Sequence, residues 1–104
     1  MSFKFEKGTQ VLRDVAAEFV SRESNRTSLI TVTSVSLSTD FSKVIFLISV
    51  YPEEAEKEAL DFLKRKRGEL RTYLGAKVKT KRIPFVDFEI DKGEKTRQRL
   101  DEIL

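Results

Sequence analysis

The chain has no cysteine and no histidine among its 104 residues. Without cysteine there is no disulfide, no thiolate nucleophile and no thiolate metal ligand, a usage that suits a reducing compartment. The missing histidine excludes more, because histidine is the commonest general base and the commonest transition-metal ligand. A hydrolytic triad, a zinc site or a histidine acid–base pair cannot be assembled here. Long apolar runs are missing too. The longest, Val44 to Ile48, is far short of the roughly 20 residues that span a bilayer. Met1-Ser2-Phe3-Lys4-Phe5 is followed by charge and not by an apolar region, so no signal peptide is expected. These absences point to a cytoplasmic protein with no membrane partner, no metal and no cofactor.

What is present is apolar material for one core and a divided charge. Hydrophobic residues make up 39% of the chain, eight of them Phe, enough for one domain over residues 1–104 without staples. The formal net charge is only +3, but it is unevenly spread. Between Lys64 and Arg82 stand nine basic residues (Lys64, Arg65, Lys66, Arg67, Arg71, Lys77, Lys79, Lys81 and Arg82) against one acid, Glu69, a local charge of +8. The rest of the chain holds 11 Lys+Arg and 16 Asp+Glu, a net of −5. A field concentrated in this way attracts a polyanion, since each phosphate contacted releases condensed counterions.

Hydrophobic periodicity orders the elements. Val11, Val15, Ala16, Phe19 and Val20 form the stripe of a one-faced helix. Ser24 to Ser28 is polar and ends it. Leu29 to Leu37 is β-branched, and its alternation slips between Val32 and Val35, as a bulge would cause. Ser38 to Ser42 reads as a turn in which Asp40 bonds its own downstream backbone. Val44 to Val50 is apolar on both faces and should pair antiparallel with the first strand. Pro52 fits the first position of a helix, with acids early, Lys64–Arg67 late, and Ala55, Ala59, Phe62 and Leu63 inward. Gly68 interrupts this helix, and a second short one runs from Glu69 to Leu74, ended by Gly75. Lys77–Ile83 and Phe85–Ile90 read as extended, Val86, Phe88 and Ile90 facing the core and Pro84 at an edge or bulge. Gly93 to Leu104 reads as a weakly apolar terminal helix. The order α-β-β-α-α-β, with a crossover from the second strand to the third, gives a two-layer α+β sandwich.

In that order and spacing the chain resembles the bacterial ribosome-binding factor A family over nearly its whole length. The hairpin from Ile30 to Val44, with its Ser-x-Asp turn, looks like that family's first two strands. Ala59-Leu60, Gly68-Glu69-Leu70-Arg71 and Leu74-Gly75 are similar to its broken helix pair, and Lys81-Arg82-Ile83-Pro84 with Phe88 and Asp91 to its last strand. The resemblance implies a type II KH-like domain in which a helix–kink–helix replaces the Gly-x-x-Gly loop. It implies a monomeric, non-enzymatic RNA-binding factor, with no small-molecule substrate, for late maturation of the small (30S) ribosomal subunit. The partner implied is 16S rRNA in the free subunit, with roles in rRNA processing and growth in the cold. Three features depart from the family. The kink, usually Ala-x-Gly, is Lys66-Arg67-Gly68; Asn25-Arg26 replaces an Asp-Pro-Arg; and the sequence stops at Leu104, where the family carries a polar tail.

The candidate RNA-binding residues are Lys64, Arg65, Lys66, Arg67, Gly68, Arg71, Lys77, Lys79, Lys81 and Arg82. Neighbours on a helix diverge by about 100°, so the run Lys64–Arg67 cannot share one face. Lys77, Lys79 and Lys81 alternate on a segment read as extended and so share one. Helix-end charge and edge-strand protection explain the same lysines without RNA. At Gly68 a bare backbone breaks the helix or admits a phosphate or ribose. Tyr73 and Phe85 read as core aromatics, with base stacking the other reading. A basic module that binds an acidic protein surface is the alternative function. The alternating acids Asp87, Glu89 and Asp91 also admit a metal-dependent nuclease.

Overall fold

The computed structural model describes residues 2–24, 28–78 and 82–93, with the backbone alone for residues 2–7. The expected loop at Asn25–Thr27, Lys79, Lys81 and the terminal helix beyond Gly93 lie outside the described residues. Helix α1 spans Ser2–Glu23. Its inward stripe is Leu12, Ala16, Phe19 and Val20, all buried, while Val15 is half-buried. Val11, read from sequence as inward, is 43% exposed. Leu12 takes its place because i, i+4, i+7 and i+8 centre the buried arc on Ala16 and Phe19, with Val11 at its margin.

Strands β1 (Leu29–Leu37) and β2 (Lys43–Tyr51) pair antiparallel, from Leu29 opposite Tyr51 to Leu37 opposite Val44. The register shifts between Val32 and Ser34, so the slip in the pattern is a bulge at Thr33. The hydroxyl of Thr33, at the bulge, lies 2.6 Å from Asp91 Oδ2 and 3.2 Å from Leu47 O. Asp40 organises the connecting turn. It accepts from the hydroxyls of Ser42 (2.7 Å) and Ser38 (2.8 Å) and from the Ser42 N–H (3.1 Å). Those bonds hold its carboxyl down to about 2.

Pro52, with ψ 162°, stands one residue before a 3-10 turn (Glu53–Ala55) and not inside it. Helices α2 (Glu56–Arg65) and α3 (Arg67–Lys77) then cross back to β3 (Phe85–Ile90). A connection of that length permits parallel pairing, and β3 pairs parallel with β2, Val44 opposite Val86 and Phe46 opposite Phe88. The sheet order is β1-β2-β3, so β3 is an edge. The core lies between this sheet and the helices. Phe46, Phe88, Ile48, Leu63, Leu70, Leu74, Val20 and Val44 are fully buried, and no polar or charged side chain is buried among the described residues. On the opposite sheet face Ile45 and Leu47 are half-buried, so β2 is well covered on one side only. No described helix is long and apolar enough to cross a membrane.

Two expectations need correction. Helix α3 does not end at Leu74 but runs through Gly75 to Lys77. No described glycine has positive φ, so Gly75 is not a left-handed cap. Ala76 and Lys77 extend the last turn, which closes with the Val78 N–H donating to Leu74 O at 2.8 Å. Lys77 is therefore helical and does not begin an alternating extended row.

Candidate nucleic-acid interface

The basic stretch lies across the junction of α2 and α3 and in the segment leading to β3. Residues Lys64 and Arg65 close α2, where positive charge suits the carbonyl end of the helix dipole. Lys66, at φ −96° and ψ 6°, belongs to neither helix. Its N–H donates to Leu63 O (2.9 Å) in a tightened last turn, and its carbonyl accepts from Leu70 N–H (2.9 Å) as α3 starts. The interruption thus falls inside the window Lys66–Glu69 that the sequence indicates, but its residue is Lys66. Gly68 sits in the first turn of α3 with helical backbone, and a Cβ built there meets nothing within 4 Å.

Three of the cations meet carboxylates. Lys64 Nζ and Arg67 Nη1 both reach Asp87 Oδ1 on β3, at 3.0 and 3.3 Å. Arg67 Nε also donates to Lys64 O at 2.9 Å, capping a carbonyl in the last turn of α2. Partial burial pushes the Asp87 carboxyl up. The Lys64 hydrogen bond, the Phe88 N–H and the charges of Lys64 and Arg67 outweigh it, so the carboxyl titrates below its ordinary range. Lys66 Nζ lies 3.6 Å from Glu23 of α1, 3.4 Å from Glu69 and 5.6 Å from the centre of the Phe62 ring. Lys66 is thus engaged and half-buried, not simply outward.

Arg71 meets carbonyls instead of carboxylates. Its Nη2 donates to Ile83 O (2.9 Å) and its Nε to Pro84 O (3.3 Å), pinning the segment before β3 onto α3. Arg65 and Lys77 are exposed and form no ion pair with a described residue. Arg82 is exposed two residues before Pro84. Of the aromatics, Tyr73 is packed as expected. Its ring stands 5.7 Å from Phe19, with Arg22 at 5.4 Å and Lys77 at 5.5 Å. Phe85 is not a core residue. It is 71% exposed, because strand alternation gives the inward positions to Val86 and Phe88.

Reading along the sequence did not pair Glu23 with Lys66, or Asp87 with Lys64 and Arg67, since these partners lie far apart along the chain. The acids of β3 do not act as a row. Asp87 faces the two helices and Asp91 receives Thr33. Among the described residues no three acidic, histidine or cysteine side chains come together in a group that could hold a metal ion.

The class this architecture defines is the two-layer α+β domain with a broken crossover helix, the arrangement expected of a type II KH-like fold. Solved structures share it. The crystal structure of ribosome-binding factor A from Thermus thermophilus superposes with a TM-score of 0.74 and 27% identity, over 82% of this chain and 92% of that one. A homology model of the Thermus thermophilus factor, fitted into a cryo-EM map of a 30S–RbfA complex, gives 0.70 and 26%, with the same coverage. The family model "Ribosome-binding factor A" matches residues 6–104. The chain belongs to the ribosome-binding factor A family. Ribosome-binding factor A of Brevibacillus brevis is 32% identical over 80 residues, 76% of this chain, and the match spans 66% of that relative's length.

Proposed function

We propose that the chain is a non-enzymatic RNA-binding factor for late maturation of the small (30S) ribosomal subunit. Its partner is 16S rRNA in the free subunit. It acts as a cytoplasmic monomer, aids rRNA processing and supports growth in the cold. The observation that carries this reading is the concentration of positive charge across the α2–α3 junction, on a molecule that is acidic elsewhere. Asp87, Glu23 and Glu69 neutralise part of it, and among the described residues Arg65, Arg71, Lys77 and Arg82 present basic side chains to solvent. Membership of the ribosome-binding factor A family and the 30S complex of the Thermus thermophilus relative support the choice of a ribosomal partner.

On this reading phosphate contacts position the protein, and the fold of the RNA supplies the address. Sedimentation with purified 30S, 50S and 70S particles tests it. The chain is expected to travel with free 30S particles and to be left behind by 50S and 70S. Equal retention on all three would reduce the reading to nonspecific attraction. Retention that survives nuclease digestion of the rRNA would favour a basic module that binds an acidic protein surface.

A further inference from the structure

We infer that Phe85 is a platform on which an unpaired RNA base stacks, with Arg71 holding the adjoining phosphate. The inference rests on the RNA-binding reading above and adds a base contact to it. Phe85 opens the edge strand β3 and is 71% exposed, although eight Phe were available to the core. The ring is exposed but not loose. The Phe85 N–H donates to Ser42 O at 2.9 Å, and the residue pairs with Lys43 of β2. The guanidinium of Arg71 lies over the ring, 5.4 Å from its centre. That guanidinium is fixed in turn by Ile83 O and Pro84 O, and it meets no carboxylate among the described residues.

A pre-set aromatic surface beside an un-neutralised cation matches one nucleotide, base on ring and phosphate on guanidinium. Neither tyrosine has this combination. Tyr73 is enclosed by Phe19, Arg22 and Lys77. Tyr51, although 75% exposed, pairs with Leu29 at the far end of β2 from Phe85. Bases inside a duplex are already stacked, so the ligand is a single-stranded or bulged segment.

The test compares three RNAs of equal length: a 12-nucleotide oligoadenylate, the same strand with abasic riboses, and a duplex. The wild-type chain is expected to bind oligoadenylate more tightly than the abasic strand. Phe85→Ala should weaken oligoadenylate binding by about 5- to 150-fold, the range for loss of one stacked base. It should leave abasic and duplex binding, and the salt dependence, unchanged. Phe85→Leu, which keeps apolar bulk without a π face, should lose as much as Phe85→Ala, and Tyr51→Ala should lose nothing. The chain has no tryptophan, so Phe85→Trp adds a single indole whose emission oligoadenylate should quench and the abasic strand should not. Retained base discrimination in Phe85→Ala would overturn the inference and leave RNA binding standing. An equal loss for all three RNAs would also overturn it, assigning the ring to support of Arg71. Failure of the wild type to bind any of them would overturn the inference, while sedimentation with 30S particles decides the RNA-binding reading separately.

Discussion

At Asp87 a single carboxylate oxygen receives Lys64 Nζ from α2 and an Arg67 nitrogen from the start of α3. Its side chain is 20% exposed, so water screens the pairs only in part. Asp87→Asn removes the charge and keeps the shape. The fold should lose at most about 1 kcal/mol, since pairs of this kind contribute little net stability. RNA affinity should rise and its salt dependence steepen, because two cations lose their competitor for phosphate. The sign with pH follows from the depressed carboxyl. Its stabilisation is present above the ordinary carboxylate value of about 3.9 and is lost as pH falls through the lower folded value. The gap in melting temperature between wild type and Asp87→Asn should be seen at pH 7 and close in strong acid. A gap that persists there would assign the loss to packing. Lys64 and Arg67 were legible as a pair pointing one way, but the acid between them was not. Asp87 lies 23 residues from Lys64, and only the parallel placement of β3 brings them together.

The two crossover helices show how a local cue can place a break and misname its cause. Glycine in a basic run read as the interruption, whereas the non-helical backbone belongs to Lys66. Lys66 is tied both to Glu69, three residues on, and to Glu23 at the end of α1, the second beyond the reach of any helical spacing. With Gly68 helical and its Cβ position open, Gly68→Ala should stabilise the protein by up to about 1 kcal/mol, raising the melting temperature by a few degrees. RNA binding should stay as it was. A lower melting temperature would mean that Gly68 leaves the helical conformation in solution. Lys66→Ala acts in the other direction. It should cost up to about 1 kcal/mol by freeing Glu23 and Glu69, with little effect on RNA affinity, because the cation it removes is already engaged. The hairpin was more legible, since the period-2 slip near Val32 and the Ser-x-Asp turn are both local signals. The end of α3 was not, because Gly75 stays helical against Ile83, whose side chain lies 3.6 Å from where a Cβ would be.

Over the whole molecule the order α-β-β-α-α-β could be read because each element carries its own apolar period and the crossover length leaves β3 parallel to β2. Which cations face a partner could not be read, since that depends on acids brought in from α1 and β3. The charge polarity therefore has to be tested at a position the fold leaves alone. Arg65 is such a position, exposed and with no ion pair to a described residue. If about four phosphates are engaged, log affinity should fall with log salt at a slope of about −3 to −4. Arg65→Glu should weaken binding to RNAs of unrelated sequence alike and flatten that slope by about one unit, while an acid at the carbonyl end of α2 lowers the melting temperature by only a few degrees. Arg67→Glu is a poorer probe, because it sets a second carboxylate beside Asp87 and should lower stability along with affinity. The control is Lys57→Glu, the same change of net charge at an exposed site in the first half of α2, away from the basic junction. Binding governed by net charge alone would fall equally in Arg65→Glu and Lys57→Glu. Binding through the junction requires the first to fall and the second to hold, and equal losses would place the RNA elsewhere on the surface.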